Sequence, residues 1–383
     1  MSTFTFNTTP SVRMGLGLAQ TLGDIVGPIC GENILFVTDP GMVATGLVEK
    51  AVSVLVGAGL KVTVFDKVQA DPPEAVIQSA AEMARKASGV VGFGGGSSLD
   101  VAKLAALLAA SGQPLKDAFG IENATGPRLP LVLVPTTSGT GSEVTPISIV
   151  TTGTSEKMGV VSSLILPDVA VLDPELTLGL PAHVTAATGI DAMVHAIEAY
   201  ASANQNNNPI SRALAVEALR LMGRVLKQAV DTPADIEARS DMMLGSMLAG
   251  QAFANSPVAA VHALAYPIGG HYKVPHGLSN ALVLPHVLRF NVEQAPQAYA
   301  ELLPHVFPDV SASGTEEAAT KFVDGLITLS EACGLQQTLR EVGIEREALP
   351  MLARDAMKQT RLLVNNPREV DEAAALKIYE AAW

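Results

Sequence analysis

Cysteine is nearly absent from this chain: Cys30 and Cys333 are its only two, far apart and without CxxC spacing. That excludes a thiolate metal site and a disulfide framework and points to a reduced, cytoplasmic protein. Charge is also sparse, at 16% of residues, and the net charge of -13 leaves no basic face for nucleic acid or an anionic membrane. The opening MSTFTFNTTPSVRMG lacks a basic segment followed by an apolar one, so no secretion signal is expected. Nor is there an uninterrupted apolar run long enough to span a bilayer. The most apolar stretch, Leu244 to Ile268, is cut by Gln251, Asn255, Pro257 and His262 and reads as a buried helix pair. With 48% apolar residues in 383, what remains is a compact protein large enough for two domains with full cores.

Strand and helix alternate through the first half. NILFVTDP is a buried strand, and KVTVFDKV, GVVGFGGG and LPLVLVPTT are the strands that follow, separated by a helix-compatible segment to Ala58, by PPEAVIQSAAEMARKA and by SSLDVAKLAALLAA. This is the pattern of a parallel, doubly wound sheet. ISIVTT and KMGVVSSLI then read as paired strands around a Gly-Thr-Ser turn, and VAVLDPEL closes the half. Beyond Pro181 the periodicity is helical: 185–203, 209–230, 233–254, 258–266, 278–290, 316–333 and a set ending near Ala382. The expected division is an α/β domain over 1–182 and an all-helical domain over 183–383.

The stretch richest in chemistry is VHALAYPIGGHYKVPHGLSN, Val261 to Asn280, which carries His262, His271 and His276 out of seven histidines in all. A Pro-Ile-Gly-Gly turn is expected to separate the helix bearing His262 from the Pro-His-Gly presenting His276. Upstream, Asp191 and His195 are four apart and share a helix face. A carboxylate with imidazoles is a divalent-metal donor set. His183, His286 and His305 are read as structural.

Two loops point to a nucleotide. GFGGGSSLDVAK places glycines between a strand and a helix, with Ser97 and Ser98 at the helix start, where backbone N–H groups and the helix dipole favour a pyrophosphate. It is not the GxGxxG fingerprint. VPTTSGTGSEVTP follows the next strand and offers the hydroxyls of Thr136, Thr137, Ser138, Thr140 and Ser142. Loops at the ends of successive strands form the usual ligand crevice of an open α/β sheet. Asp39 ends the first strand, placed to accept ribose hydroxyls and repel a 2'-phosphate, which favours NAD over NADP.

In order along the chain, GGGSSLDVAK, PTTSGTGSEVTP, GIDAMVHAIEAYAS and VHALAYPIGGHYKVPHGLSNALVLPHVLRFN resemble the motifs of the iron-containing (group III) alcohol dehydrogenases. The resemblance covers essentially the whole chain. It implies the dehydroquinate synthase-like fold: an N-terminal nucleotide-binding α/β domain with a parallel sheet, an all-α C-terminal domain, and metal and nicotinamide in the cleft between them. By motif, Asp191, His195, His262 and His276 become the metal ligands and Asp39 the adenosine-ribose contact. Gly95, Gly96 and Ser97 would hold the pyrophosphate, and Thr136, Thr137, Thr140 and Lys157 the rest of the cofactor. Many members have histidine four residues after the third ligand, where this chain has Tyr266. Tyrosine can pass a proton, though its reference pKa of about 10 suits the task less well. His271 is the other candidate for that relay.

The expected enzyme is an NAD-dependent alcohol dehydrogenase or aldehyde reductase, with Fe2+ as metal and Zn2+ an alternative. Its substrate is a small primary alcohol, diol or aldehyde, in a site where Ala252, Phe253, Val258 and Leu264 either line the cleft or belong to the core. Neither nucleic acid nor membrane is expected as a partner, and a homodimer or larger homo-oligomer is. The competing readings are a hydroxyacid-oxoacid transhydrogenase or polyol or hydroxyacid dehydrogenase of the same fold, a lyase of the dehydroquinate-synthase type, and a non-catalytic NAD- or metal-binding protein. Maleylacetate reductase is disfavoured by Asp191.

Overall fold

A computed structural model describes residues 3–153 and 156–383. The chain divides into two units, Asn7–Gly179 and Leu180–Trp383, the second also taking the N-terminal residues up to Phe6.

The first unit is built on a six-stranded parallel sheet. Its strands are β1 (Ser11–Met14), β2 (Asn33–Val37), β3 (Lys61–Phe65), β4 (Gly89–Gly94), β6 (Leu131–Pro135) and β9 (Val169–Leu172), in the order β1-β9-β6-β4-β2-β3. A parallel sheet needs cover on both faces, and the alternation of side chains supplies two cores. Leu35, Val37 and Val90 face one side with α4 (Glu74–Ala84) and α5 (Gly96–Ser111). Ile34, Phe36, Val91 and Phe93 face the other with α1 (Leu22–Cys30) and α3 (Leu47–Gly57). A short helix, α6 (Leu115–Ala118), precedes a second, three-stranded sheet of β5 (Gly120–Ile121), β7 (Ile147–Thr152) and β8 (Glu156–Val161), ordered β5-β8-β7. β7 and β8 pair antiparallel, as their sequences suggest. The turn expected between them falls on Thr154 and Ser155, outside the described residues.

The short α6 and β5 have no counterpart in the sequence reading, and two further features differ from it. The segment before Ala58 is two helices, α2 (Pro40–Ala44) and α3, because Gly46 takes a left-handed φ of 76° and breaks the run. The N-terminal lead carries β1 and α1. β1 is only four residues long and α1 holds Pro28, so neither shows a sustained period.

The second unit is helical: α7 (Ala182–Ala201), α8 (Pro209–Asp231), α9 (Ile236–Asn255), α10 (Ala260–Tyr272), α11 (His276–Val292), α12 (Pro296–Val306), α13 (Thr315–Ala332), α14 (Leu349–Ala356), α15 (Thr360–Leu363) and α16 (Glu372–Ala382). α12 has no counterpart in the sequence reading. Pro296 and Pro304 interrupt its pattern, yet the first sits in the opening turn, where proline costs nothing, and the second lies near the end. The Pro-Ile-Gly-Gly sequence, expected to be a turn, lies inside α10, and the chain reverses only at Lys273, with φ 57°. The Tyr379 hydroxyl donates to Leu264 O at 2.5 Å, three residues before Pro267, and so ties α10 to the C-terminal helix close to the proline.

β4 enters the sheet against the end of α1 so closely that a side chain at Gly89 has no room. A Cβ there would lie 2.3 Å from Cys30 Cβ and 2.7 Å from Cys30 Cα. Gly89→Ala is expected to destabilise the protein by about 1–3 kcal/mol, seen as a lower urea midpoint at unchanged slope; an unaltered midpoint would contradict this packing.

Candidate active site

α7 presents Asp191, His195 and Glu198 at spacings of four and three, so all three emerge on one face. α10 contributes His262 and α11 contributes His276 from its first position. One donor atom from each of Asp191, His195, His262 and His276 lies within 4.8 Å of the others. The approach of α11 to α7 depends on the residue after His276: a Cβ on Gly277 would sit 2.4 Å from Ala187 O and 3.3 Å from Asp191 Cβ.

The chemistry of this donor set fits a divalent cation. Asp191 is 2% exposed, and the imidazoles His276 and His262 stand beside it, with Nε2 at 3.7 Å and 3.9 Å from its Oδ1. Burial would raise the Asp191 carboxyl, but His276, His195, His262 and the Asn280 N–H outweigh it and hold the group below the usual carboxylate range. Asn280 Nδ2 donates to Asp191 Oδ1 at 2.6 Å and lies 3.3 Å from Nε2 of both His262 and His276. Its partial positive charge stands where three lone-pair atoms converge. Asn280 Oδ1 is buried and receives no hydrogen bond from the described residues, an acceptor that a bound water or a substrate hydroxyl would answer.

Glu198 orients the set. Its Oε2 lies 2.6 Å from His262 Nδ1, and its Oε1 accepts the Val261 N–H at 2.7 Å. A carboxylate only accepts, so Nδ1 carries the proton and Nε2 keeps its lone pair for a metal. Phe253 stacks on the His195 ring, with centroids 4.3 Å apart. Ala252, Phe253, Val258 and Leu264 are all buried, Ala252 and Leu264 completely. The His276 side chain, 40% exposed against 3% for Asp191, is the open side of the cluster.

In the sheet unit, the glycine turn and the hydroxyl-rich loop meet. Gly94 has φ 147°, and a Cβ there would strike Ser98 Oγ at 2.7 Å. A Cβ on Gly96 would lie 2.7 Å from Thr140 Cγ2, and one on Gly95 would lie 3.7 Å from Thr137 Cγ2. Gly95, Gly96, Ser97, Thr137 and Thr140 are half-buried, leaving surface for a ligand, whereas Thr136 is 1% exposed and turns its hydroxyl to Met42 Sδ at 3.4 Å. Asp39 caps α2, accepting the Met42 N–H at 3.0 Å on Oδ1 and the Ser98 hydroxyl at 3.1 Å on Oδ2. Lys157 stands on the smaller sheet, 2.7 Å from Asp71 Oδ1 and 2.9 Å from Thr151 Oγ1.

These two constellations coincide with a family comparison. Residues 9–174 match the model for iron-containing alcohol dehydrogenase, and residues 185–383 match that for the Fe-containing alcohol dehydrogenase family, C-terminal. The chain belongs to the iron-containing alcohol dehydrogenase family. It is 42% identical to long-chain-alcohol dehydrogenase 1 of Geobacillus thermodenitrificans (strain NG80-2) over 382 residues, 98% of this chain and 95% of that one. It is 34% identical to the NAD-dependent methanol dehydrogenase of Bacillus methanolicus, covering 94% of each. The fold is similar to that of 1,3-propanediol oxidoreductase, with a TM-score of 0.95, 36% identity and 100% of both chains covered. This enzyme is an NAD-dependent oxidoreductase of the alcohol dehydrogenase class, and its Asp/His cluster has the donors to hold a metal ion. No helix among the described residues is long and apolar enough to cross a membrane.

The two relay candidates of the enzyme part company in the structure. Tyr266 follows His262 by one helical turn, and its ring lies 5.9 Å from that of His276. His271 lies nine residues from His262, roughly 13 Å along the axis and on the opposite face. Its Nε2 is 2.6 Å from Asp355 Oδ2, tying α10 to α14. Glu198 and Asn280 are absent from the sequence reading, although each carries a signal there: Glu198 is seven residues after Asp191 and Asn280 four after His276, both on the ligand face. Glu198→Gln is expected to lower metal affinity about 10- to 100-fold while the fold persists. Competition with a chelator measures it; unchanged affinity would mean that His262 needs no such partner.

Proposed function

We propose that the enzyme interconverts a small primary alcohol or diol and its aldehyde, with NAD(H) as hydride carrier and Fe2+ held by Asp191, His195, His262 and His276. Zn2+ is an alternative occupant of the same donors. The observation that carries this reading is the convergence of those four donor atoms within 4.8 Å around a buried carboxylate. When bound, the ion supplies Lewis acidity to the substrate oxygen and the nicotinamide supplies the hydride acceptor.

The chain's own groups do the rest. Asp191 lowers the charge of the centre, and Glu198 keeps His262 in the tautomer that leaves Nε2 a donor. Tyr266, beside His276, donates its phenol proton to the substrate oxygen in aldehyde reduction and, as the phenolate, accepts the alcohol proton in the reverse direction. Gly95, Gly96 and Ser97 at the start of α5 receive the pyrophosphate, with Thr137 and Thr140 across from them. Asp39 selects the unphosphorylated ribose, and Lys157 completes the cofactor contacts. The enzyme is proposed to work in the cytoplasm as a homo-oligomer, its two cysteines free and buried.

The first test is NADH formation with protein stripped of metal and reloaded separately with Fe2+ or Zn2+. Methanol, 1,3-propanediol and longer primary alcohols make the panel, since relatives are named for such substrates. Activity is expected only after reloading, and NAD and metal binding without turnover of any alcohol or aldehyde would reject the dehydrogenase reading. His262→Ala is expected to abolish metal binding and activity while NAD still binds; full activity in that variant would sink the metal mechanism. Tyr266→Phe is expected to lower kcat about 100-fold at unchanged metal content, and wild-type kcat would remove Tyr266 from the proton path.

A further inference from the structure

Beneath the glycine turn at the start of α5 lies a group of buried charges that hydride transfer does not use. Lys103, on α5, is completely enclosed. Its Nζ donates to Ser142 Oγ at 2.7 Å, Ile147 O at 2.8 Å and Thr145 Oγ1 at 3.3 Å, so all three ammonium protons go to the segment following Thr140. Asp100, one turn earlier, grips the same segment. Its Oδ1 accepts the Ser142 hydroxyl at 2.6 Å, its Oδ2 accepts the Ile149 N–H at 2.9 Å, and its backbone carbonyl accepts the Ser148 hydroxyl at 3.1 Å. Glu143, 3% exposed, is enclosed beside them. Burial pushes Lys103 down to about 8 and Glu143 up to about 7, so both charges are costly where they stand.

Buried ion pairs of this kind add little net stability compared with apolar residues of similar volume, and in some proteins they serve instead to specify geometry. The geometry specified here is that of the cofactor loop. Ser142 is gripped by Lys103 and Asp100, and its own N–H donates to Thr140 Oγ1 at 3.3 Å. Thr140 in turn lies against Gly96, where a Cβ would come within 2.7 Å of its Cγ2. The chain of contacts thus runs from α5, through Ser142 and Thr140, back to the first residue of α5.

We propose that Asp100, Lys103 and Ser142 form a clasp of positioning residues that sets the distance between the Thr136–Thr140 loop and the start of α5, so that both meet the dinucleotide phosphates. This rests on the reading that NAD binds at these two loops.

The test measures NAD affinity by equilibrium dialysis in Ser142→Ala, in Lys103→Met/Asp100→Asn and in Gly96→Ala, alongside metal content and the separate KM values for NAD and alcohol. Ser142→Ala removes only the bridging hydroxyl, and the double variant removes the charges of Asp100 and Lys103 together, leaving Glu143, which burial already pushes up to about 7, to take up a proton. Both are expected to bind metal normally and to weaken NAD roughly 10-fold or more, with KM for NAD rising and KM for alcohol unchanged. Gly96→Ala is expected to abolish NAD binding by filling the space against Thr140. Folded clasp variants with wild-type NAD affinity, beside a Gly96→Ala that has lost it, would overturn the clasp and leave the NAD site standing. Wild-type affinity in Gly96→Ala would overturn the siting of NAD, and the clasp proposal with it.

Discussion

A carboxylate in a protein interior must be answered by positive charge or by hydrogen bonds, and Asp191 is buried deep in α7 with three imidazoles and one amide around it. Much of the helical unit follows from that requirement. α7 must carry Asp191, His195 and Glu198 on one face. α11 must approach α7 at backbone distance, which is why glycine stands at 277. α10 carries His262 and Tyr266 one turn apart on one face and stays helical through Pro267, and the Tyr379 hydroxyl donates to Leu264 O near that proline. A donor set held this way is preorganised, and the Glu198 carboxylate decides which imidazole nitrogen of His262 is a donor.

The sheet unit works under a different constraint, close approach of backbone to an anion. The glycines at 94, 95 and 96 clear space for it, and the same absence of side chains lets Thr137 and Thr140 stand beside the helix start. Glycine gives freedom without direction, so something else must hold the loop in place. The charges of Asp100 and Lys103 are costly to bury and fully hydrogen-bonded, and they lie directly behind that loop.

The parallel α/β unit was legible because its strands are continuous apolar runs bounded by glycine and proline, and most of the helical unit because its helices are long and periodic. The elements that escaped were short or interrupted by proline: β1, α1, α6, β5 and α12. The Pro-Ile-Gly-Gly segment misled for a related reason. Proline and glycine weaken a helix only by a local preference, and packing of both sides of α10 overrides it. His271 carries the same lesson for the site, since nearness in sequence to His262 and His276 places it on a helix face that Asp355 occupies.

What the sequence determined by itself was chemistry and order: four donor-type residues at Asp191, His195, His262 and His276, two glycine- and hydroxyl-rich loops after apolar strands, and the motif succession of the family. Residue type and local period carry that information, because spacing along one helix fixes which side chains share a face. Only tertiary structure decided what each donor leans on. Glu198 and Asn280 each sit on a ligand-bearing helix, but Glu198 reaches from α7 to the His262 ring on α10 and Asn280 from α11 to Asp191 on α7. Lys103 serves a loop some forty residues downstream. Such contacts join segments distant in the chain, and no local pattern records which buried polar group will meet which until the helices and the sheet have packed.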